Sequence, residues 1–414
     1  MRRTIKVGAA AASLALVLAA CGSDSETATD NGSAAPPAAS GTFTIWADEI
    51  RTPPIKAECD KFAAENGITC DVVQIDFGDI RSRAVQGNQT GDVPDLFIGA
   101  HDWLGELVTN GVVSPFDLGG NAGSFSDVSV QAVTYDGKTY GVPYAVENVA
   151  LLTNPALSPD CPATLDDLVS AGKKLKDDGE ASLPLALQIG DQGDAYHWMP
   201  LYTANGGYIF GQNADGTYNV EDMGVGGPGS IVAAESLQEM ADDGLIKASV
   251  TGDIAKESYT SGKSAWFITG PWNVSDAVAA IPDTVVCPVP DGPSTSSAFI
   301  GVQTMFIPTK AANALIAQTF LNQYVMTTEF MDAMYEADPR PPAWTASADK
   351  VSADPIVKGF IDYGKQGIPQ PSVPEMGSVW EALGLAQFKV ASGDDPTTTM
   401  TEAGDAITAA IAAG

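Results

Sequence analysis

Basic residues are scarce. The 414-residue chain carries 21 Lys and Arg against 52 Asp and Glu, a formal net charge of −31. A nucleic-acid binder needs a cationic footprint to displace phosphate counterions, so that class is excluded. The same deficit excludes docking of the protein surface on anionic lipid. Histidine is rarer still: His101 and His197 are the two, and they lack metal-ligand spacing. None of the five cysteines forms a C-x-x-C pair, so neither a metal site nor a cofactor is assigned. Past residue 20 no apolar run is long enough to cross a bilayer, which predicts a soluble body.

Several catalytic signatures also fail. Ser261-Gly262-Lys263-Ser264 has the tail of a phosphate-binding loop, but Glu257 stands where its first glycine belongs. The run Gly224 to Gly229 fits G-x-G-x-x-G but follows Asn219-Val220-Glu221-Asp222, which is no buried strand, so it reads as a loop entering a helix. No G-x-S-x-G nucleophile elbow occurs. No repeat of fixed period is visible, which argues against a solenoid.

Apolar material is present in quantity. Hydrophobic residues make up 44% of the chain, enough for a core, and the length admits one large domain or two to three ordinary ones. The first residues carry an address. Met1 to Lys6 is basic and Val7 to Ala20 is apolar and uncharged, so residues 1–20 read as a secretory signal. Leu18-Ala19-Ala20-Cys21 resembles the lipobox of bacterial lipoproteins, which implies cleavage before Cys21 and a lipid on its sulfur. Cleavage removes Arg2, Arg3 and Lys6 and takes the formal charge from −31 to −34. Residues 21–41, rich in Gly, Ser, Ala, Pro and acid, read as a flexible tether.

The other four cysteines, Cys59, Cys70, Cys161 and Cys287, suggest two disulfides in an exported protein, with three pairings open. Cys59–Cys70, joining a helix to the next strand, with Cys161–Cys287 as a long-range tie, is the favoured set.

Strand-like runs at Thr42 to Ala47, Cys70 to Ile75 and Pro94 to Gly99 alternate with helical spacing at Ile55, Cys59, Phe62 and Ala63 and from Asp102 to about Asn110. This order predicts a parallel sheet covered by helices on both faces. Further helices are expected from Thr164, whose surroundings resemble a capping box, and over Pro228 to Gly244, Ala311 to Val325, Gly377 to Ala391 and Pro396 to Ala412.

Trp46, Trp103, Tyr196, Trp198, Trp272 and Trp380 lie in polar or Gly/Pro-rich contexts, near Asp48, Glu49, Arg51, Asp102, Glu147, Asp191 and Asp194. Sugars need this combination: aromatic planes for the C–H faces of the rings, and charged or amide groups for the hydroxyls.

Seven segments in order resemble the maltose-binding group of ABC-transporter sugar-binding proteins (family 1 solute-binding proteins). They are Thr44-Ile45-Trp46, Gly91 to Asp95, Ala100-His101-Asp102, Tyr140 to Asn148, Asn205 to Tyr208, Gly270-Pro271-Trp272 and Phe299 to Val302. The resemblance implies a periplasmic-binding-protein-like fold of two α/β lobes joined by three chain crossings, near Ala145–Leu151, Val285–Asp291 and Ala337–Thr345. The N-terminal lobe would take residues 42–146 and 291–337, and the C-terminal lobe residues 147–290 and 338–414. The Pro-rich runs at the second and third crossings suit a hinge.

By resemblance, Asp102 accepts sugar hydroxyls, Glu147 is the hinge carboxylate, and Asp48 and Arg51 are polar ligand residues. Asp194 and Tyr196 match a ligand Glu and Tyr, and Trp272 and Trp380 match ring-stacking tryptophans. Four positions depart from the pattern. Gly99 replaces an aromatic platform, Trp103 an Arg, Glu381 a Tyr, and Gly384 an Arg. Trp103 either replaces the lost platform or packs inward. Residues 189–193 are an insertion. The implied function is capture of maltose or maltodextrin by hinge closure, without catalysis, by a lipid-anchored monomer that serves a membrane permease. The alternatives are another oligosaccharide, a secreted glycoside hydrolase, or an anchored adhesin.

Overall fold

The computed structural model describes residues 41–213 and 217–413. The signal segment, Cys21 and the tether up to residue 40 lie outside the described residues.

Strand β1 (Thr42–Ala47) buries Phe43, Ile45 and Ala47 on one face. Helix α1 (Thr52–Asn66) starts with Pro53 and Pro54 in its first turn and buries Ile55, Cys59, Phe62 and Ala63, the four positions that carry the helical spacing. Gly67 ends it in the left-handed conformation at φ 66°, donating its N–H to the Ala63 carbonyl. Strand β2 (Thr69–Gln74), helix α2 (Phe77–Thr90), strand β3 (Leu96–Ala100) and helix α3 (Leu104–Thr109) follow. β1 pairs in parallel with both β2 and β3, as the alternating pattern predicts. A short helix α4 (Asp127–Ala132) and the hairpin β4 (Thr134–Tyr135) and β5 (Lys138–Thr139) lead into β6 (Val142–Glu147).

The chain then enters a second sheet with β7 (Ala150–Thr153). Helix α5 (Leu165–Asp177) has the capping box read from the sequence, with Thr164 and Asp167 bonding each other's backbone. Next come β8 (Leu185–Ala186), α6 (Ala195–Ala204), the hairpin β9 (Phe210–Gln212) and β10 (Tyr218–Met223), α7 (Pro228–Asp242) and α8 (Gly252–Thr260). β11 (Trp266–Thr269), α9 (Val274–Ala280) and β12 (Val285–Cys287) complete this part. The second sheet has the order β12-β7-β11-β8.

Strand β13 (Phe299–Phe306) returns to the first sheet, between β14 on one end and β3, with β6 also paired to it. Helices α10 (Ala314–Phe320), continued by a π turn at 321–325, and α11 (Thr328–Ala337) pack on the first core. Helices α12 (Thr345–Val351) and α13 (Pro355–Gly364), strand β14 (Ile368–Pro369), α14 (Gly377–Ala391) and α15 (Pro396–Ala413) finish the chain.

The sheets are parallel where βαβ units build them and antiparallel where crossing strands join. β13 runs antiparallel to β3 and β6, and β7 antiparallel to β11 and β12. A strand arriving from the other lobe has no crossover helix to turn it round, so it enters in the opposite sense.

Two large cores match the two sheets. One gathers Phe43, Phe62, Phe97, Phe306, Phe320 and Phe330; the other Leu151, Trp198, Tyr202, Trp266, Phe360 and Leu383. The chain passes between them after Glu147, along β13, whose Phe299 belongs to the second core and whose Met305 and Phe306 belong to the first, and after Ala343, which is still in the first core. Among the described residues both disulfides form as favoured: Cys59–Cys70 with Cα atoms 6.0 Å apart and Cys161–Cys287 with 5.7 Å. The first joins α1 to β2. The second ties the loop before α5 to the end of β12.

Candidate functional site

The ends of the strands of both sheets converge. β1 is followed directly by Asp48, β3 runs into a 3-10 turn at His101–Trp103, β6 ends in Glu147, and β11 leads to a 3-10 turn at Pro271–Asn273. Such carboxyl ends are where open α/β sheets place ligands.

The two turns share a device. Each strand is followed within a few residues by a tryptophan whose six-membered ring closely approaches a glycine. A Cβ at Gly270 would stand 2.1 Å from a Trp272 ring carbon, and one at Gly99 would stand 2.8 Å from Trp103. Gly99 therefore does not leave an empty place, because the Trp103 indole covers it. Trp103 is 7% exposed and meets Phe77 in a tilted contact with ring centroids 5.0 Å apart, so it packs inward, with the half-buried Phe77 beyond it. The Arg51 guanidinium lies 5.1 Å from the Phe77 ring centroid on one side, and the Arg81 guanidinium 5.9 Å from Trp103 on the other.

On the second lobe Trp272 is half-buried against Tyr196 at 6.3 Å and His197 at 5.9 Å. The Tyr196 hydroxyl is buried without a hydrogen-bond partner. Burial, with the Glu147 and Asp102 carboxylates nearby, keeps it protonated far above the usual tyrosine range. Trp380 meets Phe299 edge-on at 6.1 Å. It also lines a cleft of about 260 Å³ whose other wall carries Arg81, Asp102 and Glu106. Residues of both sheets thus face one another across that space.

The carboxylates fall into three groups. Asp102 is pushed up to about 6 by burial, which outweighs the opposing Arg81 charge. Asp194 caps α6: it accepts from the His197 backbone N–H at 2.9 Å and from Gln188, and it faces His197 Nδ1 at 3.0 Å. Burial raises its pKa, but the His197 contacts win and hold it below the ordinary value. Asp48 and Glu147 belong to a buried chain of charge. Asp48 pairs with Arg51, Arg51 reaches Asp338 at 3.1 Å, Asp338 pairs with Arg340, and Arg340 Nε donates to Glu147. Gln303 completes it by donating to Glu147 Oε1 at 2.9 Å. Both buried guanidiniums are thereby matched to carboxylates, and both Glu147 oxygens are engaged.

His101 sits between these groups but serves the scaffold. Its Nδ1 accepts from the Val302 N–H at 3.0 Å and its Nε2 bonds the Gln370 carbonyl at 3.0 Å. Burial drives its pKa down to about 4, so it is neutral, the form this bonding requires.

The departures at 189–193 and at 384 are one feature. Gly193, at φ 70°, is pressed against the α14 backbone so that a Cβ would come 1.6 Å from the Gly384 carbonyl. The inserted loop occupies the space into which a long side chain at 384 would project.

Asp338, Arg340, Gln303, Phe77 and Arg81 were not picked out by sequence reasoning. Arg340 had a signal, since it stands within the Pro-rich third crossing, Pro339 to Pro342. Gln303 had none, because an amide in a buried strand looks like any other strand residue.

Residues 57–359 match the family model for bacterial extracellular solute-binding proteins. A galactooligosaccharide-binding protein of Bacillus subtilis is 28% identical over 407 residues, covering 95% of this chain and 94% of that one. A maltooligosaccharide ABC transporter solute-binding lipoprotein of Streptococcus pneumoniae is 27% identical, covering 95% and 93%. A crystal structure of a cyclo/maltodextrin-binding protein complexed with maltotetraose superposes with a TM-score of 0.78 at 28% identity, covering 89% of this chain and 97% of that one. The two-lobed fold, the converging strand ends and the matched span place the chain in the bacterial extracellular solute-binding protein family.

Proposed function

We propose that the protein captures a neutral oligosaccharide of the maltodextrin type between its lobes and presents it to the permease of an ABC importer. The observation that carries this reading is the second-lobe aromatic wall. Trp272 comes close against Gly270 and is backed by Tyr196, whose buried hydroxyl has no protein partner. A flat ring and an unpaired hydroxyl are what a pyranose needs from one side. Asp102 and Trp380 supply a carboxylate and a further ring across the cleft. Asp48, Arg51 and Glu147 act as a charge-compensated floor, Trp103 and Asp194 as supports. Compensation of both buried guanidiniums favours a neutral sugar over a uronate. The relatives that bind maltooligosaccharide, maltodextrin and maltotetraose support the glucan assignment.

Binding a sugar that touches both lobes favours the closed state and shifts the population toward it. The proposed lobes are residues 42–146 with 291–337, and 147–290 with 338–414, the crossing run 338–343 itself being held against β6 and the first core. The body works as a monomer outside the cell membrane, held by a lipid on Cys21. No catalysis is assigned, since Arg340 and Gln303 occupy both oxygens of Glu147.

The test is thermal shift against mono- and oligosaccharides, with product analysis of every hit. Maltotriose or maltotetraose should raise the melting temperature and remain intact, and Trp272→Ala and Trp380→Ala should each weaken the effect. Turnover that is lost in Glu147→Gln would establish a hydrolase instead. A galactooligosaccharide is the second reading. The galactooligosaccharide-binding relative and the loss of aromatic and Arg positions at Gly99 and Gly384 favour it, and a hit with that sugar alone would select it.

A further inference from the structure

The third crossing carries a side chain that touches both the hinge carboxylate and the aromatic wall. Arg340 Nε donates to Glu147, its Nη1 faces Asp338, and its guanidinium carbon lies 5.7 Å from the Trp272 ring centroid. Its side chain is 10% exposed. The mounting is stiff. Pro339 and Pro341 flank it and fix φ on either side. The Arg340 N–H donates to the Asp338 carbonyl at 2.6 Å. The neighbouring segment is pinned to β6 by Val146 N–H to the Pro341 carbonyl at 2.7 Å and Ala343 N–H to the Tyr144 carbonyl at 3.0 Å. Asp338 is in turn shared with Arg51, at the start of α1. One guanidinium therefore links a first-lobe helix start, a crossing strand and a second-lobe ring.

We infer that Arg340 is a positioning residue for sugar binding. It holds the Trp272 ring in register with the Glu147 carboxylate when the lobes close, through a cation–π contact that exists only while the second lobe is swung in. A planar guanidinium can bond a carboxylate edge-on and lie against a ring at once; an ammonium cannot. This rests on the proposed function, because the ring it places is the one assigned to the sugar.

The test is a double-mutant cycle of Arg340→Gln and Trp272→Ala, read by calorimetric titration with maltotetraose. Each single variant should bind more weakly, Arg340→Gln by about two- to thirtyfold, the span of a cation–π contact from an exposed to a desolvated site. The double variant should bind no more weakly than Trp272→Ala alone. Independent, multiplying losses would overturn the inference, because a merely structural arginine would add its cost whether or not the ring is present. If Arg340→Gln does not fold, Arg340→Lys replaces it in the same cycle: charge is kept, the planar contact is lost, and the same non-additivity is expected. A second measurement needs no ligand. The fluorescence difference between the wild type and Trp272→Phe isolates Trp272, and it should change in the Arg340→Gln or Arg340→Lys background. An unchanged difference spectrum would refute the contact. Failure of the wild type to bind any sugar would instead count against the proposed function.

Discussion

Gly270→Ala is a one-carbon perturbation aimed at one ring. Gly270 has φ −98° and ψ −176°, extended backbone that alanine adopts freely, so the backbone is not strained. The added Cβ, however, would lie 2.1, 2.2 and 2.6 Å from three Trp272 ring carbons, whereas ordinary contact begins at 3.4 Å. The ring must therefore retreat by about 1.3 Å, the difference between those two distances. A gap of 0.5–1 Å already forfeits about a quarter to a half of a dispersion contact. Taking the roughly 1–3 kcal/mol of a base stacked on an aromatic side chain as the scale, forfeiting about half of it costs about 0.5–1.5 kcal/mol, or roughly 2- to 12-fold in affinity. Titration calorimetry with maltotetraose should place Gly270→Ala between the wild type and Trp272→Ala. Its melting temperature should move little, because reduced freedom of the unfolded chain, about 0.4–1 kcal/mol, offsets part of the clash. Wild-type affinity in Gly270→Ala, or a further loss from it in a protein already lacking the Trp272 ring, would refute the reasoning.

The raised Asp102 pKa gives a pH test. Its folded value is about 6 against 3.8 for the free side chain, so its contribution is fully favourable below 3.8 and is lost as pH rises through 6. Asp102→Asn should raise the melting temperature at pH 7.5 and not at pH 3.5, as followed by circular dichroism. The disulfides should differ in worth. The loop-entropy relation gives about 3 kcal/mol for the separation of 11 residues at Cys59–Cys70 and about 5 kcal/mol for the 126 at Cys161–Cys287. Denaturant unfolding of the two double Cys→Ala variants should rank them in that order.

Much of the fold was legible in the sequence because local physics decided it. The apolar positions of α1, its paired prolines and Gly67 specify that helix, and Thr164 with Asp167 specifies the start of α5. The antiparallel entry of β7 and β13 was not legible. Strand direction depends on which lobe the chain arrives from, and no single run of residues records that. At the site, residue types pointed to Trp272, Tyr196 and Asp102, and the structure brings all three near Glu147. Asp48, Arg51 and Glu147 look like ligand groups in the sequence. Only their partners Asp338 and Arg340, some two hundred residues or more further on, turn them into a compensated network. Asp194 carries a different lesson, because an acid before an aromatic run is equally a helix cap, and that is where it sits.

The contact between Gly193 and Gly384 has a consequence for redesign. An arginine introduced at 384 meets the Gln192 carbonyl, which lies 2.8 Å from where its Cβ would be, so it is blocked while the loop remains. Deleting the loop alone leaves a bare stretch of α14 with nothing covering it. The two changes are therefore coupled through this contact. A specificity graft from a relative should therefore move residues 189–193 and 384 as a single cassette.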